Sequence, residues 1–141
     1  MTVVAYKDGI VAADGQASRA GIKYRVQKIF EHGNEIVAAC GDHSRAIQMK
    51  DWYVKGMVDP LPAPVDNTFA RLLVFRGKYF LEFENMSTPV KRTDKLVAFG
   101  SGSDIALGAM EMGASAIQAV EIAIKHLDSC GMGVRYKAVR K

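Results

Sequence analysis

Three times in this chain two short, largely apolar runs flank a compact turn signal. Val3-Val4-Ala5-Tyr6 and residues 10–13 flank Lys7-Asp8-Gly9, Lys28-Ile29-Phe30 and residues 35–40 flank His32-Gly33-Asn34, and residues 72–75 and 78–83 flank Arg76-Gly77. An Asp-Gly pair between apolar runs is a strong short-range hairpin signal, and the other two turns carry glycine at the reversal. In the first two pairs the strands are apolar on both sides, so the sheet must be covered on both faces. That requirement excludes an open, half-solvated sheet.

The remaining elements say what does the covering. Helical spacing of Ala46, Ile47, Met49, Tyr53 and Val54 predicts a helix from Asp42 or Ser44 to about Met57. Asp59-Pro60-Leu61-Pro62-Ala63-Pro64 must be extended, because each proline removes a donor and disfavours helix in its predecessor. Residues 96–99 read as a strand that ends in Gly100-Ser101-Gly102-Ser103, with Ser103 capping a helix to Met112. Ser115 and Gln118 form a capping-box pattern that opens a second helix to about Leu127, with Ile117, Val120, Ile124 and Leu127 on one face. Residues 134–139 alternate apolar and basic side chains like a final strand, and the stretch with Gly15 and Gly21 reads as a link. Hairpins with helices grouped in blocks predict an α+β sandwich rather than alternating βαβ units.

At 141 residues the chain fits a single domain, residues 1–141. The longest apolar stretch, residues 105–127, is interrupted by Glu111, Glu121 and Lys125, so no membrane crossing is expected. The first residues lack the layout of a secretory signal, and an intracellular protein is expected. Cys40 and Cys130 are too few for a disulfide framework and lack the clustering of a zinc site. Removing Arg135, Lys137, Arg140 and Lys141 from the net charge of +4 leaves none, so the basic charge is a terminal feature and no nucleic-acid partner is expected.

Four places can carry chemistry. Once an initiator methionine is removed, as is usual before a small residue, Thr2 offers a hydroxyl and a free α-amine. With an ordinary pKa of about 7.7 to 8.0, that amine is partly unprotonated near neutral pH and can serve as base for the hydroxyl. Read alone, Thr2 is equally an ordinary strand residue. Asp14 and Lys28 place charges at the ends of apolar strands. A buried pair there would lower the pKa of a neighbouring amine by repulsion from the ammonium, and two solvated strand ends are the plain alternative. Gly100-Ser101-Gly102-Ser103 before a helix is a weak anion-cradle signal without a nucleotide motif, and Ser101 can instead hold a nearby reactive residue. In Asp128-Ser129-Cys130-Gly131-Met132-Gly133, Asp128 is mismatched with a helix C-terminus, which suggests a partner. His32, His43 and His126 show no metal-ligand spacing, and a cysteine nucleophile is a minor alternative.

Together these places resemble the proteasome β-subunit and HslV peptidase family, N-terminal-nucleophile hydrolases with a threonine nucleophile. The similarity runs through Thr2-Val3-Val4-Ala5-Tyr6-Lys7-Asp8-Gly9, Ala12-Ala13-Asp14-Gly15-Gln16-Ala17-Ser18, Lys28-Ile29 and Ala39-Cys40-Gly41, and resumes at Phe99-Gly100-Ser101-Gly102-Ser103 and Gly113-Ala114-Ser115. The compact form most resembles small phage and prophage proteins of this type. The resemblance implies a four-layer αββα sandwich of the N-terminal-nucleophile hydrolase type, with a reduced helical layer because residues 57–72 leave no room for a second helix. It also implies a threonine-type endopeptidase that works through an acyl-enzyme, with no metal and no cofactor.

Thr2 would be the nucleophile, Asp14 and Lys28 the tuning pair, and Gly41 an oxyanion-hole donor. Ser101 and Asp128 would hold the amine, with Cys130 or Gly131 where the family often has a further serine. Two registers of the start fit, one with Thr2 and one with Met1 at the nucleophile position. Implied partners are peptide or unfolded protein as substrate, further copies in a homo-oligomeric cytoplasmic ring, and an ATP-dependent unfoldase for folded proteins. A catalytically inactive assembly protein, phage-derived, and an N-terminal-nucleophile amidase are the alternative readings.

Overall fold

The computed structural model describes residues 2–140, so Met1 and Lys141 lie outside the described residues. The first hairpin joins β1 (Val4–Lys7) to β2 (Ile10–Asp14), and its turn residues Asp8 and Gly9 both have positive φ, as a tight two-residue hairpin demands. A second, short hairpin joins β3 (Gln16–Arg19) to β4 (Ile22–Arg25), in the stretch expected to be only a link. Its exposed second strand buries no face, so no apolar pattern announced it.

The next two hairpins fall where the sequence predicts them, with β5 (Ile29–His32) and β6 (Glu35–Gly41), then β7 (Ala70–Arg76) and β8 (Tyr79–Glu84). A three-residue strand, β9 (Val90–Arg92), adds an edge that sequence reading missed. It is followed by β10 (Leu96–Phe99) and finally β11 (Val134–Ala138). Among the described residues every pairing is antiparallel, in a four-stranded sheet ordered β10-β1-β2-β11, the two-stranded β3-β4 sheet and a five-stranded sheet ordered β5-β6-β7-β8-β9.

Three helices complete the described residues. α1 (His43–Val54) starts on Asp42, whose side chain accepts from Arg45 N, and stops before the proline stretch. α2 (Ser103–Glu111) has Gly102, not Ser103, at its N-cap and no side-chain cap there, because Ser103 already lies inside the first turn. α3 (Ala116–His126) carries both halves of the expected capping box, Gln118 N to Ser115 Oγ at 3.1 Å and Ser115 N to Gln118 Oε1 at 2.9 Å. Among the described residues no helix is long and apolar enough to cross a membrane.

Alternation along the strands sorts the core into three clusters. Val4, Val11 and Ala13 from one sheet share a cluster with Ile36, Ala38, Leu73, Phe75 and Phe80 from the other. The opposite faces of β1 and β2, with Val3, Ala5 and Ala12, pack with Ala106, Met110, Ala119, Val120 and Ala123 of α2 and α3. Val37, Ala39, Leu72 and Val74 of β6 and β7 pack with Ala46, Met49 and Tyr53 of α1. The strands read as apolar on both sides are therefore covered on both sides, in a mixed α+β fold.

The cluster shared by the sheets is aromatic at its centre. Phe75 is 1% exposed and stacks on Tyr6 with ring centroids 4.9 Å apart. Replacing Phe75→Ala removes that ring from a site that can only partly collapse, and a loss of about 3–5 kcal/mol in urea unfolding is expected. A loss under about 1 kcal/mol would show that the two sheets do not depend on this contact.

Candidate active site

The site forms where the first residues cross the end of β2. Asp14 closes that strand and is 1% exposed, a position that no carboxylate tolerates without partners. Its Oδ1 accepts from Thr2 Oγ1 at 2.9 Å, from Val3 N at 3.1 Å and from Lys28 Nζ at 2.8 Å. Its Oδ2 accepts from Gly131 N at 3.0 Å and Gln16 N at 3.4 Å. Lys28, just ahead of β5 and 7% exposed, also donates directly to Thr2 Oγ1. The threonine hydroxyl thus sits against both a buried ammonium and the carboxylate that pairs with it.

Burial holds the Lys28 ammonium below the ordinary lysine value, with the Asp14 charge and hydrogen bond pulling the other way. Burial also pushes the Cys40 thiol up to about 11 and raises that of Cys130, where the Asp14 charge adds to the effect.

The Gly100–Ser103 turn is used on Thr2. Thr2 N donates to Ser101 Oγ at 3.1 Å, Gly102 N donates to Thr2 O at 3.1 Å, and Ser101 Oγ lies 3.0 Å from Ser129 Oγ. Of the two residues read as standing where the family often has a further serine, Gly131 donates its N–H to Asp14 and Cys130 is buried beside it, and the hydroxyl that meets Ser101 is that of the preceding Ser129. Asp128, next to it, is exposed and enters the network through its backbone carbonyl, which accepts from Gln16 Nε2 at 2.8 Å. Gly41 ends β6 with φ +105° and borders the cavity beside Thr2. A Cβ there would fall 2.4 Å from Phe69 O and 2.7 Å from Ala70 Cα, so only glycine allows β7 this approach.

Thr2, Asp14, Lys28 and Ser101 are therefore brought into one hydrogen-bonded group. Gly41 lies at its margin and Asp128 behind Gln16. The alternative register lies outside the described residues because it rests on Met1. Sequence reasoning missed Gln16 and Ser129 as structural partners of the group, and named Gly131 without its bond to Asp14. Gln16 fixes the loop after α3, and that loop in turn delivers the Gly131 N–H to Asp14. Only the repeated polar residues in both segments hinted at this.

The fold is that of proteasome-like, HslV-type proteins. The chain is similar to the BPH of Thiobacillus denitrificans in complex with epoxomicin, at 20% identity and a TM-score of 0.70 over 99% of each chain. It matches the BPH of Thiobacillus denitrificans in a second structure equally, at 20% identity and TM-score 0.70 over 99% of this chain and 98% of that one. It is also similar to eukaryotic HslV from Trypanosoma brucei, at 18% identity and TM-score 0.69 over 96% of this chain and 97% of the other. No protein-family model matches the chain, and no curated protein matches it by sequence. The likeness is one of fold.

The Asp14–Lys28 pair gives a stability test. Asp14→Ala leaves a buried ammonium without its partner and is expected to cost about 3–5 kcal/mol in urea unfolding. The double variant Asp14→Ala, Lys28→Met removes the stranded charge and is expected to recover more than half of that loss. Equal losses in the single and double variants would mean that Lys28 does not depend on Asp14.

Proposed function

We infer that this chain is a threonine-type peptidase of the proteasome β-subunit and HslV family, an N-terminal-nucleophile hydrolase with Thr2 as the mature first residue. The observation that carries this reading is the placement of Thr2 Oγ1 against Lys28 Nζ and Asp14 Oδ1, with Thr2 N on Ser101 Oγ. Removal of Met1 turns Thr2 N into an amine, so one residue supplies both attacker and proton acceptor.

In this mechanism Thr2 Oγ1 forms a bond to the carbonyl carbon of a peptide while its proton passes to the Thr2 amine. The carbonyl oxygen becomes an oxyanion, which the Gly41 N–H stabilises. The C–N bond then breaks, the amine returns its proton to the departing nitrogen, and an ester on Thr2 remains. Water, deprotonated by the same amine, hydrolyses that ester and regenerates the hydroxyl. The Lys28 ammonium favours the neutral amine by repulsion, Asp14 fixes Lys28, and Ser101 holds the amine in place, while Asp128, expected to share that task, reaches the group only through its backbone carbonyl on Gln16. No step requires a metal or a cofactor.

The reading extends to architecture and setting. The three core clusters support a four-layer αββα sandwich of the N-terminal-nucleophile hydrolase type, its layer over the five-stranded sheet reduced to α1, in a single domain spanning residues 1–141. The HslV likeness supports a homo-oligomeric ring in the cytoplasm that takes peptides or unfolded protein, with an ATP-dependent unfoldase needed for folded substrates.

Intact mass and an epoxyketone probe test the activity together. The BPH of Thiobacillus denitrificans is seen in complex with epoxomicin, which makes that compound the natural choice. Protein lacking Met1 should form an epoxomicin adduct and cleave peptides, and Thr2→Ala should do neither. Full retention of Met1 in the native host with no adduct would favour an inactive assembly protein, and turnover of simple acyl-amides without peptides an amidase.

The role given to Lys28 also fixes the sign of a pH effect. Its charged form is the useful one and burial lowers its pKa from 10.5, so kcat/KM should fall on the alkaline side with a midpoint below that value. In Lys28→Arg, which stays protonated, the alkaline limb should move to higher pH. An unmoved limb would assign the titration to another group.

A further inference from the structure

Gly41 has no side chain to fix it and sits at φ +105°, so the direction of its N–H depends on what braces its neighbours. The brace is Asn85. That residue follows the end of β8 with φ 55°, in the left-handed region that asparagine tolerates, and its carboxamide acts in both directions on the segment that leads into β7. Its Nδ2 donates to Thr68 O at 3.0 Å and its Oδ1 accepts from Ala70 N at 3.4 Å. Between these two, Phe69 O accepts from Asp42 N at 2.8 Å, and Ala70 stands opposite Gly41 in the strand register. Asn85 thus fixes the stretch on which Gly41 and Asp42 rest.

The carboxamide is fixed in turn by Arg45, which is 3% exposed. Arg45 Nε donates to Asn85 Oδ1 at 2.9 Å and Nη2 to Asn85 O at 3.4 Å, while Nη1 donates to Gln48 Oε1 and Pro62 O, both at 2.7 Å. All of these acceptors are neutral. A buried charge held by neutral acceptors is a costly way to gain stability; what the guanidinium supplies is a rigid planar fork that sets the orientation of its partners. Arg45 N also donates to Asp42 Oδ1 at 2.9 Å, which closes a circuit from Arg45 through Asn85 and the 68–70 segment back to Asp42. We propose that Arg45 and Asn85 are the positioning residues of the oxyanion site, holding the 68–70 segment, and through it the Gly41 N–H, where charge develops on the attacked carbonyl. The proposal rests on the hydrolase reading, and it adds two residues that act through Gly41 rather than on the substrate.

The test uses protein whose mass shows Thr2 as the first residue. Asn85→Asp keeps the size, tolerates φ 55° and still accepts from Arg45, but it cannot donate to Thr68 O and sets a carboxylate oxygen against it. On a peptidyl-coumarin amide its kcat should fall about tenfold with KM within about twofold, a fraction of the roughly 10²–10³ lost when an oxyanion donor is removed outright. A peptidyl aldehyde, whose adduct with Thr2 Oγ1 places an oxygen at the oxyanion site, should bind about tenfold more weakly. The matching peptidyl alcohol, which has no carbonyl, should bind as before. Asn85→Gly allows the same φ without the carboxamide or a new charge, and it should show the same split. In both variants the Asp42 amide proton should exchange faster with solvent. Equal weakening of aldehyde, alcohol and KM would mark a general disturbance of the fold, and an unchanged kcat in both variants would show that Gly41 needs no such brace. Either result would overturn the proposal and leave the hydrolase reading standing. Absence of turnover by the parent protein, together with no epoxomicin adduct on Thr2, would overturn both.

Discussion

The Asp14 carboxylate is the point on which the molecule closes. A buried carboxylate has to be met by donors from every side, and here they come from four separate stretches of chain: Thr2 and Val3, Gln16, Lys28, and Gly131. Each removes part of the cost of taking the charge out of water, and the loss of any one leaves the rest under-satisfied. The first residues are thus held against β2, the loop after α3 is held against the first residues, and Lys28 is held ahead of β5. A fold closed at a charged residue has its reactive geometry and its stability at the same atoms.

The place of that carboxylate follows from strand alternation. On β2, Val11 and Ala13 face the other sheet while Ile10 and Ala12 face the helices, so Asp14 continues the helix-facing side. It meets the loop leaving α3 there, and Gly131 N lies within hydrogen-bond reach. On the neighbouring strand Val3 and Ala5 face the helices and Val4 faces the other sheet. By the same period Thr2 turns towards the space between the sheets, where Lys28 arrives from the second one. Two strands of opposite direction thereby bring a hydroxyl and a carboxylate together from either side of one sheet edge.

What could be read from the chain depended on whether a residue's role was written in local pattern. The hairpins around Asp8-Gly9, Gly33-Asn34 and Gly77 were legible because apolar runs and turn residues coincide there, and Ser115 with Gln118 announced α3. Asp14 and Lys28 were legible as charges at the ends of apolar strands, where a charge needs an explanation, and Thr2 as a hydroxyl that gains a free amine on loss of Met1. The β3–β4 hairpin was not legible, because Ile22 is 70% exposed and its turn uses Ala20 at φ 51°, without the Asn or Asp that usually marks such a reversal. The contact of Ser129 with Ser101 was not legible either. The loop after α3 has no period, and its backbone is pinned by contacts from distant residues, Gln16 on Asp128 O and Asp14 on Gly131 N.

The chemistry of the two thiols supports a hydroxyl rather than a cysteine as attacker in the proposed mechanism. A cysteine attacks as its thiolate, and burial acts against that anion at both positions, with Cys40 at about 11 and Cys130 raised further by the charge of Asp14. Near neutral pH both remain protonated in the same region where Lys28 is kept. A hydroxyl never relies on its own ionisation in this pH range; its proton has to be taken by a base as the new bond forms. Burial without the set of donors that Asp14 has therefore acts against the thiolates, and a threonine stays usable where a neutral amine stands beside it. In the proposed mechanism the burial that raises both thiols also strengthens the field of the Lys28 ammonium on the Thr2 amine, so one physical condition disfavours cysteine as attacker and favours the neutral amine as base.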